Sequence, residues 1–172
     1  MPVAMDAAAR ISRARARLLL DAPWFGALAL RLRVEEDTAG ELAFGMGTDG
    51  SRLVYRPTDL AGLPDGVLKT MVAHEVMHCA LLHPYRAHGR DLAMFNRACD
   101  LAVNPMLRDQ GFALWPGALL EDRFAGQTAE QIYGTLMREK REQEQQSQGG
   151  QGQGNSQAGP TAPQETPQPD FL

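Results

Sequence analysis

The chain has 172 residues, a length that suits one domain and excludes two large ones. Its formal net charge is −4, which argues against a nucleic-acid-binding domain driven by bulk charge. No apolar run is long enough to span a membrane, and the N-terminal segment lacks the apolar core of a signal peptide. The sequence therefore predicts a cytoplasmic protein that binds neither nucleic acid nor a membrane.

The last thirty residues differ in composition from the rest of the chain. Residues 143–172 contain nine Gln, five Gly and four Pro, residue types that do not build a hydrophobic core. We therefore predict a domain over residues 1–142 and a disordered Gln/Gly/Pro-rich linker over residues 143–172. We expect such a linker to lead to a C-terminal domain that is absent from this sequence.

The first part of the chain predicts one helix followed by three strands. The ranges are 5–22 for the helix and 27–35, 41–46 and 52–56 for the strands. The helix stops before Pro23, and the first strand follows from the alternation of Leu28, Leu30 and Leu32 with polar residues. An Asp-Gly pair at residues 49–50 indicates a hairpin turn before the third strand. Short connections of this kind predict a small antiparallel sheet of about three strands.

From Pro64 onward the pattern becomes helical. We predict helices over about 64–83, 90–104 and 129–142, with a short helix near 117–121. Thr128 and Gln131 form a capping box that opens the last helix. The predicted fold class is therefore α+β.

The most specific signal is an H-E-x-x-H motif formed by residues 74–78. Histidines at positions i and i+4 lie on one face of a helix, so His74 and His78 can reach one zinc ion. Glu75 lies about 100° further round the helix, where it could address a water molecule rather than the metal.

The helix that carries this motif is unusually apolar. Eleven of the 16 residues from Val67 to Leu82 are apolar, which predicts a buried helix. Burying two histidines and a glutamate is costly unless they are paired or bind a metal. A hydrogen-bonded core histidine pair remains the alternative to a metal site.

Zinc needs a third protein ligand, and the sequence offers four candidates: His83, His88, Asp91 and Asp100. A helix that continued to residue 83 would place His83 about 140° from His78, facing away. Asp100 is favoured because Asn96 and Asn104 lie one turn before and after it, on a polar stripe of the predicted helix.

Other residues with suitable chemistry remain open from spacing alone. Cys79 and Cys99 are zinc-ligand types, but their positions favour buried structural thiols, and two cysteines do not make a disulfide framework. Tyr85, Arg86 and Tyr133 could stabilise an oxyanion, and the spacing does not choose among them.

Three stretches of the chain carry a family resemblance: TDGSRLVYRP, VAHEVMHCALLHPYR and FNRACDLAVN. Together with the later GQTAEQIYGTLM, they resemble, over about residues 10–142, a bacterial metallopeptidase domain that precedes a von Willebrand factor A-like domain. The resemblance implies a zincin-like fold in which a small sheet packs on the H-E-x-x-H helix. It implies His74, His78 and Asp100 as metal ligands and Glu75 as the catalytic base. It also implies a MoxR-type AAA+ ATPase as a partner.

The residues and the resemblance together predict a zinc-dependent peptidase. In this interpretation a peptide substrate adds to an edge strand of the sheet, near residues 51–56. The alternative is a non-catalytic, metal-containing binding module that acts with an AAA+ ATPase. A protease that is inactive until it meets a partner is a third interpretation.

Overall fold

The computed structural model describes residues 6–42 and 44–149, which form seven α-helices and one small sheet. The helices are α1 (Ala7–Asp21), α2 (Pro23–Ala29), α3 (Pro57–Leu60), α4 (Asp65–Ala80), α5 (His83–Arg86), α6 (Leu92–Asp109) and α7 (Ala129–Gly149). The strands are β1 (Arg33–Glu36), β2 (Met46–Thr48) and β3 (Arg52–Tyr55). The predicted α+β class is confirmed.

The sheet has the order β1-β3-β2 and is mixed rather than antiparallel. β2 and β3 form the predicted antiparallel hairpin, but β1 runs parallel to β3, with Val34 opposite Leu53. The chain between β1 and β2 crosses to the far side of β3, so the prediction of a purely antiparallel sheet is wrong. The predicted strand over 52–56 is therefore the central strand, and the sheet edges are β1 and β2.

The predicted strand over 27–35 is mostly wrong, since α2 occupies its first residues. Pro23 stands at the start of α2, where its missing N–H costs nothing. The buried residues of α2 include Phe25 and Ala29, one helical turn apart, whereas Leu30 of the alternating pattern is 50% exposed. The extended structure begins only with β1, at Arg33. The second strand also begins later than predicted, at Met46.

Helix α4 is the central element of the fold. It contacts α1, α2, α5, α6 and β2, which covers it from several sides. Leu68 and every residue from Thr70 to His78 are buried, as the apolar composition of this segment predicts. On the sheet side, Thr48 Oγ1 lies 3.4 Å from Cys79 Sγ, which joins β2 to the end of α4.

The C-terminal helices extend further than predicted. α6 continues through Pro105 to Asp109, although a proline inside a helix removes one backbone donor. The predicted capping box is confirmed by the Thr128 amide, which donates to Gln131 Oε1 over 2.9 Å. α7 runs to Gly149, past the predicted end at 142, and residues 150–172 of the predicted linker lie outside the described residues. The helix predicted near 117–121 is instead a single 3-10 turn, Asp122–Phe124.

Candidate metal centre

Two helices bring three potential metal ligands together. His74 and His78 come from α4, and Asp100 comes from α6. The two Nε2 atoms lie 2.8 Å apart, and Asp100 Oδ1 lies 3.1 Å from His74 Nε2 and 3.2 Å from His78 Nε2. Ligands at about 2.0–2.2 Å from a tetrahedral zinc ion are about 3.3 Å apart, so the two distances to Asp100 Oδ1 match this spacing, whereas the two histidine nitrogens are about 0.5 Å closer to each other.

Burying these ionisable side chains costs free energy unless their charges are compensated. His74, His78 and Asp100 are between 1% and 3% exposed. Burial alone would raise the pKa of Asp100, but hydrogen bonds with both histidines lower it to about 2. Burial alone would lower the pKa of His74, but Asp100 outweighs this effect and raises it, while burial and His74 lower the pKa of His78. The carboxylate is therefore ionised at neutral pH, as a metal ligand must be.

One oxygen of the Asp100 carboxylate is left without a partner, which a metal ion would suit. Among the described side chains, three buried polar atoms lack a hydrogen bond of standard geometry: His74 Nδ1, Asp100 Oδ2 and Asn104 Oδ1. An unpartnered carboxylate oxygen in a buried site is costly unless a cation or a donor compensates it. Asp100 Oδ2 therefore fits a site that holds a divalent ion between Asp100 and the two histidines.

Glu75 lies beside this cluster and has a different electrostatic environment. Its residue is 4% exposed. Burial raises the pKa of the Glu75 carboxyl to about 8, and the charge of Asp100 adds to this effect while His74 opposes it. A carboxyl whose pKa is close to neutral can both accept and release a proton, which is the property of a general base.

Comparison with known families agrees with this geometry. Residues 6–168 match the family described as “Putative metallopeptidase domain”. The chain belongs to this family. The match includes all three clustered residues and Glu75, and it extends through most of the predicted linker. No curated protein and no solved structure matches the chain.

In this metallopeptidase-family chain, α6 also carries two buried amide side chains. Asn96 and Asn104 are 5% and 0% exposed, one turn before and one turn after Asp100. Asn104 Nδ2 donates to the Leu119 carbonyl over 3.1 Å, which fixes the amide. The polar stripe predicted from spacing is therefore buried beside the cluster rather than exposed to solvent.

His83 is placed differently from the expectation. It is 1% exposed, and its Nδ1 atom lies 3.3 Å from His78 Nδ1. It does not belong to the three-ligand cluster but lies behind it. The other two candidates for the third ligand also lie elsewhere: His88 is exposed, and Asp91 accepts a hydrogen bond from the Met94 amide at the start of α6.

The remaining sequence candidates have structural contacts. Cys79 and Cys99 are free thiols, and burial raises the pKa of both. Arg86 pairs with Glu130 of α7, and the Tyr133 hydroxyl accepts a hydrogen bond from the Asp91 amide. Tyr85 is 64% exposed.

Sequence reasoning missed one aromatic neighbour of the site. The ring of Trp115 packs edge-on against His74, with 5.2 Å between ring centroids. Trp115 belongs to the irregular segment between α6 and the 3-10 turn, just before the short helix that the sequence predicts near 117–121. Spacing within a helix cannot reveal a neighbour of this kind, because the contact depends on how the loop folds back.

Proposed function

We propose that this chain is a zinc-dependent metallopeptidase domain that hydrolyses peptide bonds. The observation that carries the proposal is the number of ligands: His74, His78 and Asp100 form the cluster, and the described residues add no fourth. Structural zinc sites are closed by four protein ligands, whereas catalytic sites have three and an open position. Three ligands beside a buried Glu75 therefore favour catalysis over a purely structural metal.

The chemistry of the ligands supports zinc as the ion. Two imidazole nitrogens and one carboxylate oxygen form a set that zinc accepts, whereas magnesium and calcium prefer oxygen ligands alone. When bound, zinc would act as a Lewis acid that polarises a scissile carbonyl and makes a water molecule more acidic. The family to which the chain belongs is consistent with this chemistry.

In the proposed mechanism, Glu75 moves the proton. Its carboxylate would take a proton from the attacking water and later deliver it to the leaving amine. Its burial supports this role, because burial raises the pKa of Glu75 toward neutrality. Asp100 remains ionised throughout, held by the two histidines. Two buried carboxyl groups would thus have different roles because their surroundings differ.

Strand β2 is the sheet edge that we propose for the substrate, in place of residues 51–56. The Arg56 amide donates to the Gly45 carbonyl, so these two residues form a hydrogen-bonded pair. Hydrogen-bonded and non-hydrogen-bonded pairs alternate along an antiparallel ladder. The backbone N–H and C=O groups of Met46 and Thr48 therefore point away from β3. Met46 and Thr48 are 0% exposed, so an extended peptide could hydrogen-bond there only after the segments that cover β2 have moved. Because β2 contacts α4, this position would bring a peptide near the metal centre.

The closure of the site favours a second candidate function. His74, Glu75, His78 and Asp100 are each no more than 4% exposed, so a substrate has little direct access to them. A domain of this kind would suit a metal-containing binding module, or a peptidase that a partner opens. We propose a MoxR-type AAA+ ATPase and a von Willebrand factor A-like domain as the partners, and the cytoplasm, where thiols stay reduced, as the compartment.

The experiment that tests the proposed function compares wild type with Glu75→Gln on a peptide library after zinc loading. We expect cleavage by wild type, no cleavage by Glu75→Gln, and the same zinc content in both. Glu142→Gln is the matched control, because Glu142 is an exposed residue of α7. Cleavage that persists in Glu75→Gln would contradict the assigned base. A wild type that binds zinc but cleaves no library peptide would favour the binding module.

A further inference from the structure

The chain reverses direction directly after the H-E-x-x-H helix. α4 ends at Ala80, and Leu82 adopts a left-handed conformation with φ 58° and ψ 30°. α5 then begins at His83, and the turn places this side chain back against the helix it has just left. The His83 and His78 rings meet edge-on, with 5.0 Å between centroids and an angle of 82° between planes.

The two nitrogens of His78 face different partners. Nε2 points into the cluster, 2.8 Å from His74 Nε2 and 3.2 Å from Asp100 Oδ1. Nδ1 points the other way and lies 3.3 Å from His83 Nδ1. Only one of these two Nδ1 atoms can carry the proton of the hydrogen bond.

The ligand role of His78 decides which atom carries that proton. A metal-binding nitrogen needs a free lone pair, so His78 Nε2 must be unprotonated, and a neutral imidazole then has its proton on Nδ1. On the basis of the proposed metal site, we infer that His83 is a positioning residue. Its Nδ1 accepts a hydrogen bond from His78 Nδ1–H and so holds His78 in its metal-binding tautomer. His83 would then carry its own proton on Nε2.

The environment of His83 holds its ring in place. The ring packs against Phe95 of α6, with 6.4 Å between centroids. On the same short helix, Arg86 Nη1 donates to the Leu81 carbonyl over 2.7 Å, and Arg86 Nε donates to Glu130 Oε1 of α7 over 2.9 Å. These contacts fix α5 and make His83 a preset acceptor rather than a mobile surface residue.

The other ligand histidine provides an internal comparison. His74 Nδ1 is buried and has no hydrogen bond of standard geometry among the described residues, although the Asn104 side chain interacts with His74 and raises its pKa. The contact between His78 and His83 is therefore the one that has the geometry of a hydrogen bond at the outer nitrogen of a ligand histidine. Partners of this kind fix the orientation of a metal-binding histidine and increase its basicity, and their removal typically weakens metal binding about 10–100-fold.

Zinc affinity, measured by competition with a chromophoric chelator, tests this inference. We expect His83→Phe to bind zinc about 10–100-fold more weakly than wild type. We expect His83→Asn, whose side-chain oxygen can replace the acceptor, to stay within a few-fold of wild type. His88→Gln is the control at an exposed histidine. Zinc affinity of His83→Phe equal to that of wild type, or of His83→Asn as weak as that of His83→Phe, would overturn the inference.

Nitrogen NMR of the zinc-loaded wild type gives a readout that needs no activity. The chain has four histidines, so their ring signals can be assigned by substituting them one at a time. In the metal-free protein His78 Nε2 can donate to Asp100 Oδ1, so the tautomers are read with zinc bound. We expect His83 to carry its proton on Nε2, and a proton on His83 Nδ1 would overturn the inference even if His83→Phe fails to fold. A wild type that binds no zinc would overturn the proposed function and this inference with it, whereas a zinc-loaded protein with His83 protonated on Nδ1 would overturn the inference alone.

Discussion

Asp100 Oδ1 lies 3.1 Å from His74 Nε2, although 26 residues separate the two along the chain. This contact joins α6 to α4 inside the core. A metal ion held by both residues would therefore link two helices, and its binding free energy would contribute to the stability of the fold.

We expect zinc to stabilise wild type but not Asp100→Ala. A ligand at 100 times its Kd stabilises a protein by about 2.7 kcal/mol, which corresponds to a rise in Tm of roughly 5–10 °C for a domain of this size. The measurement is thermal unfolding with and without zinc, beside the zinc content of each purified protein. An equal rise in Tm for Asp100→Ala would show that Asp100 is not a ligand.

Leu82 is the one non-glycine residue with positive φ in the described part of the chain. A β-branched side chain is strained in this conformation, whereas glycine is not. We expect Leu82→Val to lower the free energy of unfolding by about 1–2 kcal/mol more than Leu82→Gly. Leu82 is 55% exposed, so loss of burial contributes little to this difference. Equal stability of the two variants in urea would contradict the strain.

The turn between β2 and β3 predicts a stability effect that depends on pH. Burial alone would raise the pKa of Asp49, but hydrogen bonds from Arg52 and Ser51 outweigh it and lower the pKa well below its usual range. The folded pKa is thus below the unfolded one, so the ionised form stabilises the fold above about pH 4. This contribution is lost as the pH falls through the folded pKa.

We therefore expect Asp49→Asn to reduce the free energy of unfolding by about 1 kcal/mol at pH 7. The difference from wild type should shrink as the pH falls toward 2. Urea unfolding across this pH range measures it, and Asp122→Asn, at a side chain that is 99% exposed, is the control. A difference that does not change with pH would argue against the assigned charge interaction.

Two helical glycines predict opposite effects of the same substitution. A Cβ atom at Gly26 would lie 2.3 Å from Leu19 Cα, so Gly26→Ala must separate α1 from α2 and should cost at least about 2 kcal/mol. Gly134 in α7 has nothing within 4 Å of its Cβ position, and Gly134→Ala should stabilise by up to about 1 kcal/mol. Chemical denaturation measures both, and a neutral Gly26→Ala would contradict the close helix packing.

The sequence was most informative where the relevant geometry is local. The placement of His74 and His78 on one face follows from the helical repeat, and Asp100 from the polar stripe of α6. The pairing of β1 with β3 and the contact of Trp115 with His74 depend on distant parts of the chain, which no local pattern reports. His83 was misplaced because the left-handed Leu82 ends the helical extrapolation.

The enclosure of α4 also determines which parts of the chain can open. Amide hydrogens on a helix that is covered from several sides exchange with solvent chiefly through global unfolding, whereas those on peripheral loops exchange through local opening. We therefore expect the backbone that bears His74 and His78 to exchange among the slowest of the described residues. Movements that would admit a peptide to the proposed metal centre must come from the covering segments, and the partly exposed segment around Trp115, which packs edge-on against His74, is one of these.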